Sequence, residues 1–205
     1  MLACCGADSH PWDRYQVETV WLPRKLSCLI VGENPGGNES EYFYAVPESY
    51  TRDRVVVRRC LLRGLHDQKL IPEATLEGFR DAGFLFDHAI RCPLPSSVVE
   101  DERRAARRYA STRVVNPTHL CPWLSQATAV WVMGHLASNA VANATVEFPQ
   151  KRRRISMHPY PGEISPRSKF FLSEYFTWRN EKKTPEICQA FIRFARERAI
   201  FDDVA

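Results

Sequence analysis

The chain has 205 residues, 44% of them hydrophobic and 25% charged, a balance that excludes a disordered polymer and suits one full-sized domain. Its longest apolar runs, at 28–32 and 129–134, fall far short of the about 18 residues a membrane-spanning helix needs, so no membrane partner is expected. Lysine and arginine outnumber aspartate and glutamate by 28 to 24, a mild excess that permits nucleic-acid binding without requiring it.

Seven cysteines stand at positions 4, 5, 28, 60, 92, 121 and 188. An odd number at irregular spacing is a poor disulfide framework and fits a reducing compartment. The opening MLACCG has neither the basic region nor the apolar stretch of a secretory signal. The expectation is an intracellular protein, and a monomer.

Residues 1–25 show no period and are expected to wrap the domain. Residues 26–31 (LSCLIV) form a short apolar β-rich run ending in glycines, as a central parallel strand does. Helical spacing of apolar residues follows over 52–65, with arginines on the other face. Residues 83–91 (GFLFDHAIR) read as a second strand, 99–113 as a charged helix, and 117–126 as the start of another. Ala129–Met133 (AVWVM) is a third strand, stopped by Gly134 and followed by a helix through Val141. A short fourth strand is expected at 154–157, then helices over 165–180 and 184–199. Strands alternating with helices predict a three-layer α/β/α fold around a central four-stranded, mostly parallel sheet. No repeat divides the chain, so residues 1–205 are read as one domain.

Two loops carry the chemistry-bearing residues. Gly32-Glu33-Asn34-Pro35-Gly36-Gly37 leaves the first strand and puts a carboxylate and an amide in a turn where the backbone can approach a ligand. His158-Pro159-Tyr160-Pro161-Gly162 follows the fourth strand. A Glu/Asn pair opposed to a histidine offers a water-positioning group and a donor for developing negative charge. The first loop is neither a Walker loop nor GxGxxG, which counts against a phosphate-cradling nucleotide site.

The strand-GENPG and strand-HPYP pair resembles the two motifs of the uracil-DNA glycosylase superfamily, which take forms such as GEAPG, GQDPY or GINPG and HPSP. FDHAIRCPLP is similar to the ITNVVKCRPP segment of its iron-sulfur members, and CPWLSQATAVWVMGHLA to their cysteine-plus-strand block. FFLSEYFTWRN resembles an FFxxxxFxxxN pattern found in uracil glycosylases. Together the likenesses span residues 26–180 in order.

The resemblance implies an enzyme that flips a damaged base from DNA and hydrolyses its N-glycosidic bond, leaving an abasic site in base excision repair. Glu33 stands where the GEAPG members keep an acidic catalytic residue. Asn34 stands where mismatch-specific and single-strand-selective members place a water-orienting asparagine. This chain carries both: Asn34 positioning water with Glu33 assisting, the reverse, or one of them only capping the turn. His158 matches the histidine that stabilises the leaving base. Gly32, Pro35 and Gly36 shape the base pocket, Phe43 falls where an aromatic stacks on the flipped base, and His88 aligns with the asparagine that reads uracil. A histidine there departs from strict uracil reading and opens hypoxanthine or mismatched thymine as substrates. Tyr160 replaces the motif serine; it wedges into the duplex or packs on a helix.

Basic residues gather around the second motif, and with Tyr160 and Pro161 the expected DNA contacts are Arg154, Arg167 and Lys169. No lysine lies in either motif, which favours a monofunctional glycosylase over a Schiff-base lyase. No cofactor is required. An iron-sulfur cluster through Cys92 and Cys121 is one reading of the resemblance, although adjacent Cys4 and Cys5 do not match the spaced N-terminal pair of the cluster-bearing members. A module that binds damaged DNA without activity is the rival from another class.

Overall fold

The computed structural model describes residues 11–35, 42–45, 55–92, 100–101, 117–145, 162–163, 169–173 and 181–201. The central layer is a sheet of β1 (Cys28–Gly32), β2 (Phe84–His88), β3 (Ala129–Met133), β4 (Gly162–Glu163) and β5 (Phe170–Ser173), in the order β2-β1-β3-β5-β4. The first four in that order run parallel, and β4 pairs antiparallel with β5 at the edge. β1, β2 and β3 are buried at every position, as parallel strands covered on both faces must be, which is why they read as continuous apolar runs. The fold is the three-layer α/β/α arrangement.

The helices are α1 (Pro11–Arg14), α2 (Val56–Asp67), α3 (Leu76–Asp81), α4 (Cys121–Gln126), α5 (His135–Ala144) and α6 (Thr184–Arg196). α2 and α6 pack against each other, and α6 covers the sheet through Phe191, which stacks on Trp131 at 4.5 Å. Their close approach centres on Gly64, where a Cβ would lie 2.4 Å from Cys188 Sγ. The N-terminal segment is more than a wrap. Trp12, Val17 and Trp21 are core residues, and Trp21 stacks on Tyr44 at 5.9 Å.

Three expected elements and one unexpected helix need comment. The strand at 154–157 lies outside the described residues. The helix expected over 165–180 is corrected: residues 170–173 are strand β5. Its Phe and Tyr spacing suits a helix locally, but Phe170, Phe171 and Leu172 pair in register with Val130, Trp131 and Val132. Trp131 Nε1 also donates to Ser173 Oγ at 2.7 Å, a long-range bond that local periodicity cannot foresee. α3 was not expected; Thr75 caps it by accepting from Gly78 N at 3.0 Å. Of the charged helix at 99–113, only residues 100–101 are described, and they are helical.

β2 is an edge strand, and its exposed backbone is covered by a side chain. The Tyr44 hydroxyl donates to Phe86 O at 2.9 Å and accepts from Phe86 N at 2.8 Å. Arg58, buried on α2, donates to the carbonyls of Phe43 and Ala45 and so ties residues 42–45 to the helix layer. Together these contacts place Tyr42 at the carboxyl end of β2.

Candidate functional site

In a doubly wound sheet the chain leaves neighbouring strands in opposite directions at the switch point, and the crevice between them at the carboxyl ends is where ligands bind. Here that point lies between β1, whose other neighbour is β2, and β3. Gly32, Glu33, Asn34 and Pro35 leave β1 at this rim, and Gly134 and α5 leave β3 beside them.

Glu33 joins the two. Its side chain is buried, and Oε1 accepts from Leu136 N at 3.4 Å, in the first turn of α5. A carboxylate is favoured there by the orphan N–H groups and the helix dipole. Gly134 makes room for it with φ 91° and ψ 169°, a backbone region that essentially only glycine enters. A Cβ on Gly134 would lie 2.5 Å from Glu33 Oε1. Of the roles open to Glu33, the geometry supplies a capping one: it fastens the first loop to the neighbouring strand.

Asn34 is half-buried, and its Nδ2 donates to Pro35 O at 2.6 Å. That bond uses one of the two amide N–H groups and fixes which way the amide faces; Oδ1 is its acceptor atom. Pro35 itself is buried.

His88 ends β2 directly beside Gly32, its partner in the parallel register. Its carbonyl accepts from His119 Nε2 at 2.8 Å, and its backbone N donates to Asp87 Oδ1 at 2.7 Å. Asp87 in turn pairs with Arg91 at 2.7 Å, and the guanidinium lies 3.5 Å from the Trp12 ring centre. Burial first, and the nearby charges of Arg91 and His119 second, push the His88 pKa down to about 3. The imidazole is therefore neutral throughout the working pH range. The Asp87 side chain is held by Arg91 and the His88 amide, so its carboxylate is already engaged.

Two expected site residues are displaced from their roles. Phe43 packs into the core. It is fully buried, stacked on Phe86 at 4.3 Å and packed against Phe79 at 5.4 Å, because Arg58 pins its carbonyl to α2 and turns the ring into the core. The aromatic beside His88 is Tyr42, stacked on it at 5.6 Å between ring centres. Lys169 is not on the rim of the first loop. It precedes β5, at the amino end of a strand parallel to β1 through β3, so it sits at the opposite end of the sheet. Its ammonium donates to Leu124 O at 2.9 Å.

Gly36, His158, Tyr160, Pro161, Arg154 and Arg167 lie outside the described residues, as do Cys4 and Cys5. Cys92 is buried just after β2, whereas Cys121 is exposed at the start of α4 with its Sγ 3.6 Å from Ala144 O. Among the described residues, no group of three or more histidine, cysteine or carboxylate side chains is placed to hold a metal ion. A cleft of about 180 Å³ runs between α2 and α6, lined by Arg59, Arg63, Asp67 and Glu181 among others. Arg59 and Glu181 close an ion pair across it at 2.8 Å, and it belongs to the helix layer rather than to the rim.

Sequence reasoning missed Gly134 and Tyr42. In the sequence Gly134 is a strand stop and part of the cysteine-plus-strand likeness; that it makes room for Glu33 depends on a contact between distant segments. Tyr42 was hidden in a run of three aromatics whose burial order depends on Arg58. No model of a known protein family matches this chain, and no curated protein matches it in sequence.

Proposed function

We propose that this protein is a monofunctional DNA glycosylase that excises uracil or a related deaminated base. One observation carries the reading: Asn34 stands at the switch-point rim with its amide nitrogen tied to Pro35 O, where Oδ1 can accept a hydrogen bond from water. Breaking the glycosidic bond puts positive charge on the sugar and negative charge on the departing base. A fixed acceptor holds the attacking water against the sugar without becoming a charged nucleophile. Glu33 acts through position, clamping the loop to α5 so that Asn34 keeps its geometry. His158 is the candidate donor to the leaving base, and Arg154 and Arg167 are the candidate phosphate contacts, all on the motif likeness. His88, neutral and beside Gly32, favours a base range wider than uracil alone, with hypoxanthine as the second substrate to test.

The test is strand cleavage by alkali after incubation with oligonucleotides carrying uracil, hypoxanthine, xanthine or a G·T mismatch, single- and double-stranded. Asn34→Ala lowers excision by about 10²-fold, the scale of losing the group that holds the attacking water in place. Absence of cleavage on every substrate refutes the reading and leaves the damaged-DNA-binding module.

A further inference from the structure

The cleft between α2 and α6, about 180 Å³, holds a polar cluster that the glycosylase reading does not use. Arg59 and Arg63 line it from α2, one turn apart on the same face of the helix. Across from them is the start of α6, a helix whose N-terminus no side chain caps. Thr184, its first residue, also lines the cleft and is only 7% exposed. Its Oγ1 is buried without a hydrogen-bond partner among the described residues, and the Cys60 thiol beside it is too weak a donor to stand in for one. A hydroxyl in this state costs its hydration without compensation, and such groups are few in a native chain. One oxyanion already sits in the cleft. Glu181, three residues ahead of Thr184, lays its carboxylate on the Arg59 guanidinium with contacts of 2.8, 2.8 and 3.0 Å.

We propose that this cleft is a phosphate site for which Glu181 is the built-in stand-in: a phosphate displaces the Glu181 carboxylate and takes the Arg59 guanidinium, the Thr184 hydroxyl and the positive end of α6. The site is independent of the glycosylase reading and lies away from the strand-end rim. Arg59 presents a planar fork, which matches two phosphate oxygens as it now matches two carboxylate oxygens. A carboxylate is flat, and both of its oxygens are turned to Arg59, so it leaves Thr184 unserved. A tetrahedral phosphate on the same fork keeps oxygens for donors outside that plane, the Thr184 hydroxyl and Arg63. The dipole of α6, uncapped at this end, favours the negative charge. Thr184 lines a cleft that already exists, so no part of the core has to move. Glu181 stands on the single turn Glu181–Lys183 with its side chain 40% exposed, and ion pairs so close to water hold weakly. Asp67, the other carboxylate of the cleft, is two turns beyond Arg59, about 12 Å along the axis of α2. It is exposed, so water and salt screen it from the phosphate.

The probes are inorganic phosphate and methyl phosphate, added to the full chain at constant ionic strength, with binding read by calorimetry and by the rise in Tm. The wild type binds phosphate, and its Tm climbs with phosphate but not with chloride. Arg59→Ala weakens binding about tenfold or more, the scale of losing a charge-assisted fork. Thr184→Val, of nearly the same shape, weakens it about three- to tenfold, the worth of one hydrogen bond. Glu181→Gln gives the sharpest outcome. With the competing carboxylate gone, it binds phosphate about two- to fivefold more tightly than the wild type. A Glu181 with a structural role alone would instead lower Tm on substitution and leave phosphate affinity where it was. Methyl phosphate binding as tightly as inorganic phosphate assigns the site to a phosphate monoester, and weaker binding assigns it to the free ion. The proposal is overturned if phosphate does no more than chloride, if Arg59→Ala or Thr184→Val binds as the wild type does, or if Glu181→Gln binds no more tightly.

Discussion

Replacing Gly134 by alanine tests the join between β1 and β3 at the site. The added Cβ enters a backbone conformation of φ 91° and ψ 169° that costs a non-glycine residue about 1–3 kcal/mol. It also arrives 2.5 Å from Oε1, 2.9 Å from Cδ and 3.0 Å from Cγ of Glu33. The carboxylate has to leave, and with it goes the bond to Leu136 N; at 3.4 Å that bond is long, and its loss adds about 1 kcal/mol. The sum, about 2–4 kcal/mol, is a large share of the 5–15 kcal/mol that hold a typical domain folded. For a chain of 205 residues it lowers Tm by roughly 5–15 °C. Denaturant titration and thermal melts measure the cost. Repeating them in a Glu33→Ala background isolates the contact, since alanine at 134 then meets no carboxylate and costs about 1 kcal/mol less. The reasoning fails if Gly134→Ala lies within about 0.5 kcal/mol of the wild type, or if its cost is the same with and without the Glu33 side chain.

Tyr44→Phe removes the hydroxyl that serves both Phe86 N and Phe86 O, and it lowers stability by about 1–3 kcal/mol by denaturant titration, whereas Tyr42→Phe does not. Stability falls as pH drops below about 6.5, because the unfolded His88 imidazole takes a proton there while the buried one resists it down to about 3. The contribution is fully present above the unfolded value and is lost at up to about 1.4 kcal/mol per pH unit, and comparing His88→Phe with the wild type between pH 7 and 4 measures it. Among the described cysteines, Cys121 reacts first with a maleimide at pH 7.5. Cys28 and Cys188 react only on unfolding, because burial pushes both thiols up, the second to about 12, and peptide mapping of the labelled chain checks the order.

The fold class, strands over 26–31, 83–91 and 129–133 and the loop that leads into Glu33 and Asn34 are legible in the sequence alone. These are local signals: a fully buried strand needs an unbroken apolar run, and a turn at a strand end needs glycine and proline. Where each described candidate sits, and what it touches, came from the tertiary structure. Residues 170–173 are strand because β3 offers register partners and Trp131 reaches Ser173, which outweighs a helix-like aromatic spacing. Phe43 is core and Tyr42 lies beside His88 because a buried arginine thirteen or more residues away holds the backbone between them and α2. Glu33 is a clamp because Gly134, over a hundred residues on, leaves space for its carboxylate at the start of α5. Composition and periodicity record which residue types a segment holds. Which face of a ring is covered, and which polar atom is left without a partner, depends on neighbours that only the folded chain brings together.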